Sequence, residues 1–126
     1  MDPEKGWLLA LDFSTPDSMV ILEGPSGMLR RDIEGGSRAS LLFVLVAEMM
    51  SEAGITPSEL SLLGVSRGPG AFTGIRIAVT AAKTMAAVLG TPLVAPDSLM
   101  AAAAGAGKRV FAALDARRGE VYYALY

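Results

Sequence analysis

The fold of this chain is decided by Ser66-Arg67-Gly68-Pro69-Gly70-Ala71-Phe72-Thr73-Gly74-Ile75-Arg76. The apolar residues 62–65 before this stretch indicate a buried strand, and residues 75–89 after it have the apolar periodicity of a helix. Within it, Gly68 and Gly70 allow backbone angles and close approaches that a side chain would prevent, whereas Pro69 stiffens the turn. The stretch, called the motif loop below, therefore predicts a strand, a shaped turn and a helix in succession.

Two interpretations of the motif loop are open from its residues. A loop that leads into a helix N-terminus can bind an anion, so phosphate binding is one of them. However, the glycines are spaced G-x-G-x-x-x-G, whereas the dinucleotide fingerprint is G-x-G-x-x-G, and the loop has no Gly-Lys-Ser/Thr ending of a P-loop. The other interpretation is a rigid turn that packs closely against its neighbour. In both, Thr73 is expected to cap the helix by accepting from the backbone N–H of Ile75 or Arg76.

The rest of the chain alternates between extended and helical patterns. Three apolar segments at residues 7–11, 19–22 and 28–33, joined by short turns, predict an antiparallel meander. A helix is expected over Arg38–Ala53, capped by Ser37 and stopped by Gly54. The remaining predicted elements are a short helix from the capping box at 56–59, a strand at 62–66, a helix at 74–89, a strand at 92–95, a short helix capped by Asp97, and a hairpin of strands at 110–114 and 121–126. This order is typical of an α/β fold with a mixed sheet.

Composition narrows the class of protein. The chain of 126 residues is expected to form one domain, and it contains no cysteine and no histidine, which excludes disulfides, thiolate chemistry and the usual proton shuttle. No uninterrupted apolar run reaches the roughly 18 residues of a membrane span. Residues 1–5 lack the basic flank and cleavage site of a signal peptide. We therefore expect a cytoplasmic protein that does not enter a membrane.

The charge argues against a nucleic-acid surface. The net charge is −2, and the basic doublets are Arg30-Arg31, Lys108-Arg109 and Arg117-Arg118. Nonspecific binding to a phosphate backbone needs many clustered lysines and arginines. Each doublet is therefore interpreted as a solvated edge or turn.

Three stretches together resemble the TsaB family. They are the motif loop, Leu9-Ala10-Leu11-Asp12-Phe13-Ser14-Thr15 near the start, and Leu114-Asp115-Ala116-Arg117-Arg118-Gly119-Glu120-Val121-Tyr122 near the end. They occur in the family's order and cover nearly the whole chain. The resemblance implies the actin-like (ribonuclease H-like) ATPase fold and a non-catalytic role in making threonylcarbamoyladenosine on tRNA. It also implies that residues 1–126 form a single N-terminal lobe, because family members carry a second lobe after the third stretch.

The resemblance also directs attention to one turn and to the motif loop. In active members of the actin-like superfamily, the turn that holds Asp12, Ser14 and Thr15 here approaches ATP phosphates and metal. The alternative is a turn capped by its own Asp and Ser side chains, and Phe13 favours it, because a phosphate-binding loop would prefer glycine there. The family motif residues in the loop are Arg67, Gly68, Pro69, Gly70, Thr73, Gly74 and Arg76.

No catalytic or metal-binding residue is predicted. Asp115 and Glu120 could form a carboxylate pair, but the two arginines between them are expected to keep both ionised and to stabilise a hairpin. The metal-binding relative TsaD uses a histidine pair at the start of its first helix, where residues 37–40 here read Ser-Arg-Ala-Ser. Many TsaB sequences also carry a histidine where Arg38 stands. We therefore expect no cofactor in this lobe, with ATP used by the complex.

Two helices carry the surface that is predicted to bind a partner. Helix Arg38–Ala53 is apolar on nearly every side, and the helix at 74–89 has Arg76 and Lys83 as its only charges. A surface helix should present one apolar stripe, so each helix is expected to bury one face on the sheet and the other on a second protein. The positions predicted at this interface are Leu42, Leu45, Val46, Met49, Met50, Val79 and Ala82.

The expected partners follow from the resemblance. TsaB pairs with TsaD, the ligase-like subunit, and works with the ATPase TsaE, so a TsaD-like subunit and a TsaE-like ATPase are expected here. The isolated chain is expected to form a two-fold homodimer built as a four-helix bundle through the same helices. Direct tRNA binding by this lobe is not expected. The rival function is an ATP-dependent phosphotransferase of the same fold that uses Asp12 and the turn at Gly68.

Overall fold

The computed structural model describes residues 6–34 and 38–126, with the backbone alone at 38 and 39. Its strands are β1 (Trp7–Asp12), β2 (Ser18–Gly24), β3 (Gly27–Ile33), β4 (Leu60–Val65), β5 (Leu93–Val94), β6 (Phe111–Arg117) and β7 (Glu120–Leu125). Its α-helices are α1 (Arg38–Ala53), α2 (Phe72–Leu89) and α3 (Ser98–Ala103), and a short 3₁₀ helix spans Pro57–Glu59. Every strand and helix predicted from the sequence is present, which confirms the α/β class.

Five strands form one mixed sheet in the order β3-β2-β1-β4-β5. Strands β1, β2 and β3 make the predicted antiparallel meander, in which Leu11 lies opposite Val20. Strands β4 and β5 run parallel to β1, and Leu11 is also the register partner of Val65. Because β1 and β4 end side by side, the turn after β1 and the motif loop after β4 start from the same edge of the sheet.

The hydrophobic core lies between one face of this sheet and the two long helices. Along β1 and β2 the buried side chains alternate, with Leu9, Leu11, Val20 and Leu22 facing the core. The buried helix residues of the core are Leu42, Val46, Met49, Met50, Ala78, Ala81 and Ala82. Helix α2 has 18 residues and a mean hydropathy of 1.3, enough by length and composition for a membrane span, but in this fold it packs on the sheet.

The helix ends show which local signals were interpreted correctly. Helix α1 has the predicted bounds and is followed by Gly54 at φ 72°; its predicted cap, Ser37, lies outside the described residues. Asp97 caps α3 as predicted, since its carboxylate accepts from the Met100 N–H at 2.7 Å. The prediction for Thr73 was wrong. Helix α2 begins at Phe72, so Thr73 lies inside the first turn and cannot be the capping residue.

A second, smaller layer is formed by the β6–β7 hairpin, which packs on α3. Its inner face contributes Ala112 to a small cluster with Leu99 of α3. Its outer face is exposed and aromatic, and the Phe111 and Tyr123 rings stack there with centroids 5.7 Å apart. The hairpin was predicted from the sequence, and the structure extends its first strand to Arg117.

Candidate functional site

The three stretches that resemble one family meet at a single cleft of about 610 Å³. The turn after β1 supplies one wall, the motif loop and the first turn of α2 supply a second, and the β6–β7 hairpin supplies the third. The lining residues are Ser14, Thr15, Pro16, Gly70, Ala71, Phe72, Thr73, Gly74, Leu114, Asp115, Ala116, Arg117 and Tyr122. Segments far apart in the sequence therefore form one site, which the motifs alone did not predict.

In the turn after β1, the polar side chains bond to each other. The Asp12 carboxylate accepts a hydrogen bond from the Ser14 backbone N–H at 3.0 Å and a second one from the Ser14 hydroxyl. The Thr15 hydroxyl donates to the carbonyl of Asp17 at 3.2 Å. Ser14 itself is buried. This is the locally capped turn that was one of the two interpretations of these residues.

The motif loop lies directly on that turn. The Ala71 N–H donates to the Ser14 carbonyl oxygen at 2.7 Å. A Cβ atom added to Gly70, whose φ is 153°, would lie 2.1 Å from the same oxygen. Only glycine permits this approach at this backbone angle. The geometry therefore matches the interpretation of the loop as a turn that packs closely against its neighbour.

The other side of the motif loop is held by the segment between β5 and α3. The Arg67 N–H donates to the Pro96 carbonyl at 3.1 Å, and the Gly68 carbonyl accepts from the Ser98 N–H at 2.8 Å. The Arg67 guanidinium also donates to the Ala95 carbonyl at 3.1 Å. The loop contains a cis peptide bond between Gly68 and Pro69. The Arg67 N–H, the Gly68 carbonyl and the Ala71 N–H of the loop are thus bonded within the protein, on both sides of the turn.

The hairpin wall of the cleft is held by backbone geometry and not by the charge pairing predicted from the sequence. Arg117 and Arg118 both have positive φ, 65° and 55°, and Asp115 accepts from the Arg117 N–H at 2.8 Å. Over residues 6–34 and 38–126, no ion pair joins Asp115 or Glu120 to either arginine. The tight turn uses the carboxylate as a backbone acceptor, which replaces the expected charge pairing.

The end of the hairpin is tied to the start of α3. The Asp97 carboxylate accepts from the Tyr126 hydroxyl at 2.8 Å in addition to the Met100 N–H. These two hydrogen bonds lower the pKa of Asp97 below its usual value. Desolvation, together with the neighbouring Asp97 carboxylate, raises the pKa of Tyr126. The sequence singled out Asp97 as a cap but carried no signal that Tyr126 would reach it.

A second feature is an apolar groove between α1 and α2. It consists of two depressions of about 480 and about 330 Å³ that share Phe43 and Thr84. The first extends toward the motif loop and is lined also by Thr73 and Arg76, and the second reaches Val88. Because Thr73 lines the cleft as well, the groove and the cleft share the first turn of α2.

Three of the seven interface residues predicted from the sequence, Leu42, Val46 and Met50, line this groove. Leu42 (1% exposed), Val46, Met49, Met50 and Ala82 are buried in the core, and Leu45 and Val79 pack partly buried against it. The large apolar side chains that the two helices expose are instead Leu41, Phe43 (51% exposed), Val44, Phe72 and Val88 (78% exposed). A helix that is apolar on nearly every side carries no signal for its phase, so the sequence could identify the helices but not their outward residues.

The acidic side chains of these regions lie apart from one another. Over the described residues, no three His, Cys, Asp or Glu side chains come together at a point where they could bind a metal. Within the described residues, the ion pairs join Arg30 to Asp32, at 3.2 Å, and Arg31 to Glu52. Both lie at the β3 side of the molecule, away from the cleft.

Comparison with known proteins gives consistent results. The family model described as TsaD, tRNA N6-adenosine threonylcarbamoyltransferase, matches residues 37–126. The tRNA threonylcarbamoyladenosine biosynthesis protein TsaB of Escherichia coli is 38% identical to this chain. The alignment covers 94% of this chain and 54% of the relative. The chain thus spans about half the length of this curated relative.

Solved structures show the same similarity. YeaZ from Pseudomonas aeruginosa superposes with a TM-score of 0.82 at 35% identity, over 96% of this chain and 60% of that one. Thermus thermophilus RuvC, in complex with a Holliday junction substrate, superposes with a TM-score of 0.52 at 11% identity, over 79% of this chain and 71% of that one. The second similarity concerns the fold alone.

Proposed function

This chain belongs to the TsaB family and has the actin-like (ribonuclease H-like) α/β fold, and from this premise we propose that it is a non-catalytic subunit in the biosynthesis of threonylcarbamoyladenosine on tRNA. Its role is to pair with a TsaD-like tRNA N6-adenosine threonylcarbamoyltransferase, whose residues would carry out the transfer. The observation that carries this proposal is the open apolar groove between α1 and α2.

The exposed apolar surface of the groove indicates that another protein binds there. Phe43, Val44 and Val88 are more than half exposed on two neighbouring helices, and the groove between these helices is lined mainly by apolar side chains. Contiguous apolar surfaces of this kind mark protein interaction sites. Covering them would remove apolar area from water, the dominant favourable term in protein association.

The kind of partner is supported by the family model. The TsaD model matches residues 37–126, a range that contains both α1 and α2. A transferase of this family therefore has equivalent helices, which could pack on the groove as a four-helix bundle with about 8–10 Å between axes. In the absence of that partner, the same surface would pair two copies of this chain.

The assignment of chemistry to the partner is supported by the state of the local polar groups. Asp12 bonds to Ser14, and Asp115 bonds to the Arg117 backbone. The sequence contains no histidine or cysteine to act as a base or nucleophile. We propose that ATP is used by the assembled complex with a TsaE-like ATPase in the cytoplasm, that this lobe holds no cofactor, and that it does not itself contact tRNA.

One observation favours a second candidate function. The cleft of about 610 Å³ opens at the N-terminus of the 18-residue helix α2, where an anion would be stabilised. An ATP-dependent phosphotransferase of the same fold would use this cleft, with Asp12 near the metal. The two hydrogen bonds from Ser14 to Oδ1 of Asp12 argue against it, because they hold the carboxylate within a locally capped turn.

The pairing is tested by Val88→Glu, with Val94→Glu as the matched control. Both valines are exposed, but Val88 lines the groove and Val94 lies on the short edge strand β5. A buried, unpaired carboxylate should weaken binding to the purified transferase of the same organism on the order of a hundredfold. Sedimentation velocity measures the pairing, and circular dichroism checks folding. Unchanged binding by Val88→Glu, or equal loss with Val94→Glu, contradicts the proposal.

A further inference from the structure

We propose that Arg76 determines which partner the groove accepts. The inference rests on the proposed pairing through the groove and adds its selectivity: Arg76 disfavours a second copy of this chain and favours a same-fold partner that presents a carboxylate opposite it. The groove is apolar and would otherwise accept any helix pair of suitable shape, including its own.

Arg76 is a charge without a carboxylate partner. It is the fifth residue of α2, is exposed, and lines the larger of the two depressions. Its guanidinium carbon lies over the Phe72 ring, 5.3 Å from the centroid. In the described part of the chain, neither of the two ion pairs involves Arg76. Covering this guanidinium without supplying an acceptor would remove its hydration uncompensated.

The described residues that line the groove include no carboxylate that could pair with Arg76. Among the side chains that the structure describes, Arg76 is the one charged group that lines the two depressions. The acidic residues of α1 are Glu48, which does not line either depression, and Glu52, which pairs with Arg31 of β3. A second copy would therefore bring another arginine and no groove carboxylate.

In a two-fold homodimer, the cost of covering an unpaired Arg76 would be incurred twice. A two-fold contact uses the same surface on both copies, so both arginines would be covered without a partner. A partner of the same fold with a carboxylate at the facing position would instead form a charge-assisted hydrogen bond, which arginine makes with two parallel N–H groups. Specificity of this kind arises from a penalty against the wrong partner as much as from attraction to the right one.

The sign of the salt dependence of the two dissociation constants distinguishes an electrostatic effect of Arg76 from a packing effect. If Arg76 opposes self-association through its charge, added salt should strengthen the homodimer, because screening reduces repulsion between like charges. The same salt should weaken pairing with the transferase, because it screens an attraction. A role for Arg76 limited to covering the Phe72 ring predicts that any salt dependence of the wild type persists in Arg76→Gln.

The experiment compares Arg76→Gln with Lys83→Gln and with Arg76→Lys. Lys83 is exposed on the same helix but does not line the groove. Dissociation constants for self-association and for pairing with the purified transferase would be measured by sedimentation at about 50 and about 500 mM NaCl. For Arg76→Gln we expect at least about fivefold tighter self-association, at least about fivefold weaker pairing, and loss of both salt dependences. Arg76→Lys should keep the signs of the wild type, and Lys83→Gln should change neither constant.

Three results would overturn the inference. In the first, Arg76→Gln changes the dissociation constants for self-association and for pairing in the same direction. In the second, both constants of Arg76→Gln equal those of the wild type. In the third, Lys83→Gln changes the two constants as much as Arg76→Gln does. The proposed function fails separately, when Val88→Glu pairs with the transferase as well as the wild type does. If Val88→Glu abolishes pairing while Arg76→Gln leaves both constants unchanged, the groove is the interface and only the role of Arg76 is refuted.

Discussion

The carbonyl oxygen of Ser14 accepts a hydrogen bond from the backbone N–H of Ala71 at 2.7 Å, and this bond joins the turn after β1 to the start of α2. The two residues are far apart in the sequence, but β1 and β4 end side by side in the sheet. The same carbonyl oxygen is the atom that a side chain at position 70 would strike. One backbone acceptor therefore fixes both the position of the motif loop and the identity of its second glycine.

Replacing Gly70 by alanine should destabilise the protein more than a backbone-angle penalty alone would. The new Cβ would lie 2.1 Å from the Ser14 oxygen, so the loop must move away from the turn. We expect a loss of about 3 kcal/mol in the free energy of unfolding. Gly90→Ala is the control, because Gly90 also has positive φ but has open space around it, and it should lose about 1 kcal/mol. Urea denaturation measures both losses. Equal losses of unfolding free energy in Gly70→Ala and Gly90→Ala would show that the contact between position 70 and the Ser14 oxygen is not tight.

Removal of two buried serine hydroxyls should have opposite effects. The Ser14 hydroxyl donates to Asp12, whereas the Ser98 hydroxyl has no hydrogen-bond partner within residues 6–34 and 38–126. Ser14→Ala should therefore cost about 1 kcal/mol, and Ser98→Ala should be neutral or stabilise by up to about 1 kcal/mol. Thermal denaturation of both variants measures the difference. Destabilisation by Ser98→Ala beyond that of Ser14→Ala would reveal a partner for the Ser98 hydroxyl.

The hydrogen bond between Tyr126 and Asp97 should be visible in the titration of the carboxylate. The pKa of Asp97 is lowered from its usual value, first because of the Met100 N–H and then because of the Tyr126 hydroxyl. A lowered pKa means that Asp97 contributes stability above its unfolded pKa and loses this contribution as the pH falls through the folded value. Tyr126→Phe should raise the pKa of Asp97 part of the way, since the Met100 bond remains.

Carboxyl NMR titration measures this shift. Tyr122→Phe is the matched control, because Tyr122 lies on β7, which ends just before Tyr126, and it lines the cleft without contacting Asp97. Equal titration curves for the wild type and Tyr126→Phe would mean that the hydroxyl does not bond to Asp97 in solution.

Binding of ATP by the isolated chain should be weak or undetectable. The Asp12 carboxylate is held by Ser14, and the motif loop uses its backbone groups on neighbouring turns. Titration calorimetry of residues 1–126 with ATP and Mg²⁺ tests this expectation. Micromolar binding together with hydrolysis that Asp12→Ala abolishes would support the phosphotransferase and reject the non-catalytic subunit.

The sequence predicted the elements of the fold because each has local signals. Gly54 and Gly90 follow α1 and α2 with positive φ, and Asp97 caps α3. These signals depend on a few neighbouring residues, so they survive without knowledge of the tertiary structure. Thr73 shows the limit, because the start of α2 is set by the long-range bond between Ala71 and Ser14 and not by a capping side chain.

The outward face of α1 and the lining of the cleft were harder to predict from the sequence, for two physical reasons. The outward face of α1 depends on which residues meet the sheet, and Leu42 and Phe43 are equally apolar although one is buried and the other exposed. The cleft depends on bringing three distant segments together, which needs the parallel pairing of β1 with β4. Composition and motif spacing record neither of these.

Thr73 lines the groove and the cleft, so a substitution at this one position alters the lining of both surfaces at once. Thr80 lines the groove alone. A change at Thr73 that improved the fit of a partner would also reshape the cleft, and the reverse holds as well. In evolutionary terms, a substitution at Thr73 has to be compatible with both the groove and the cleft, whereas a substitution at Thr80 has to be compatible with the groove alone.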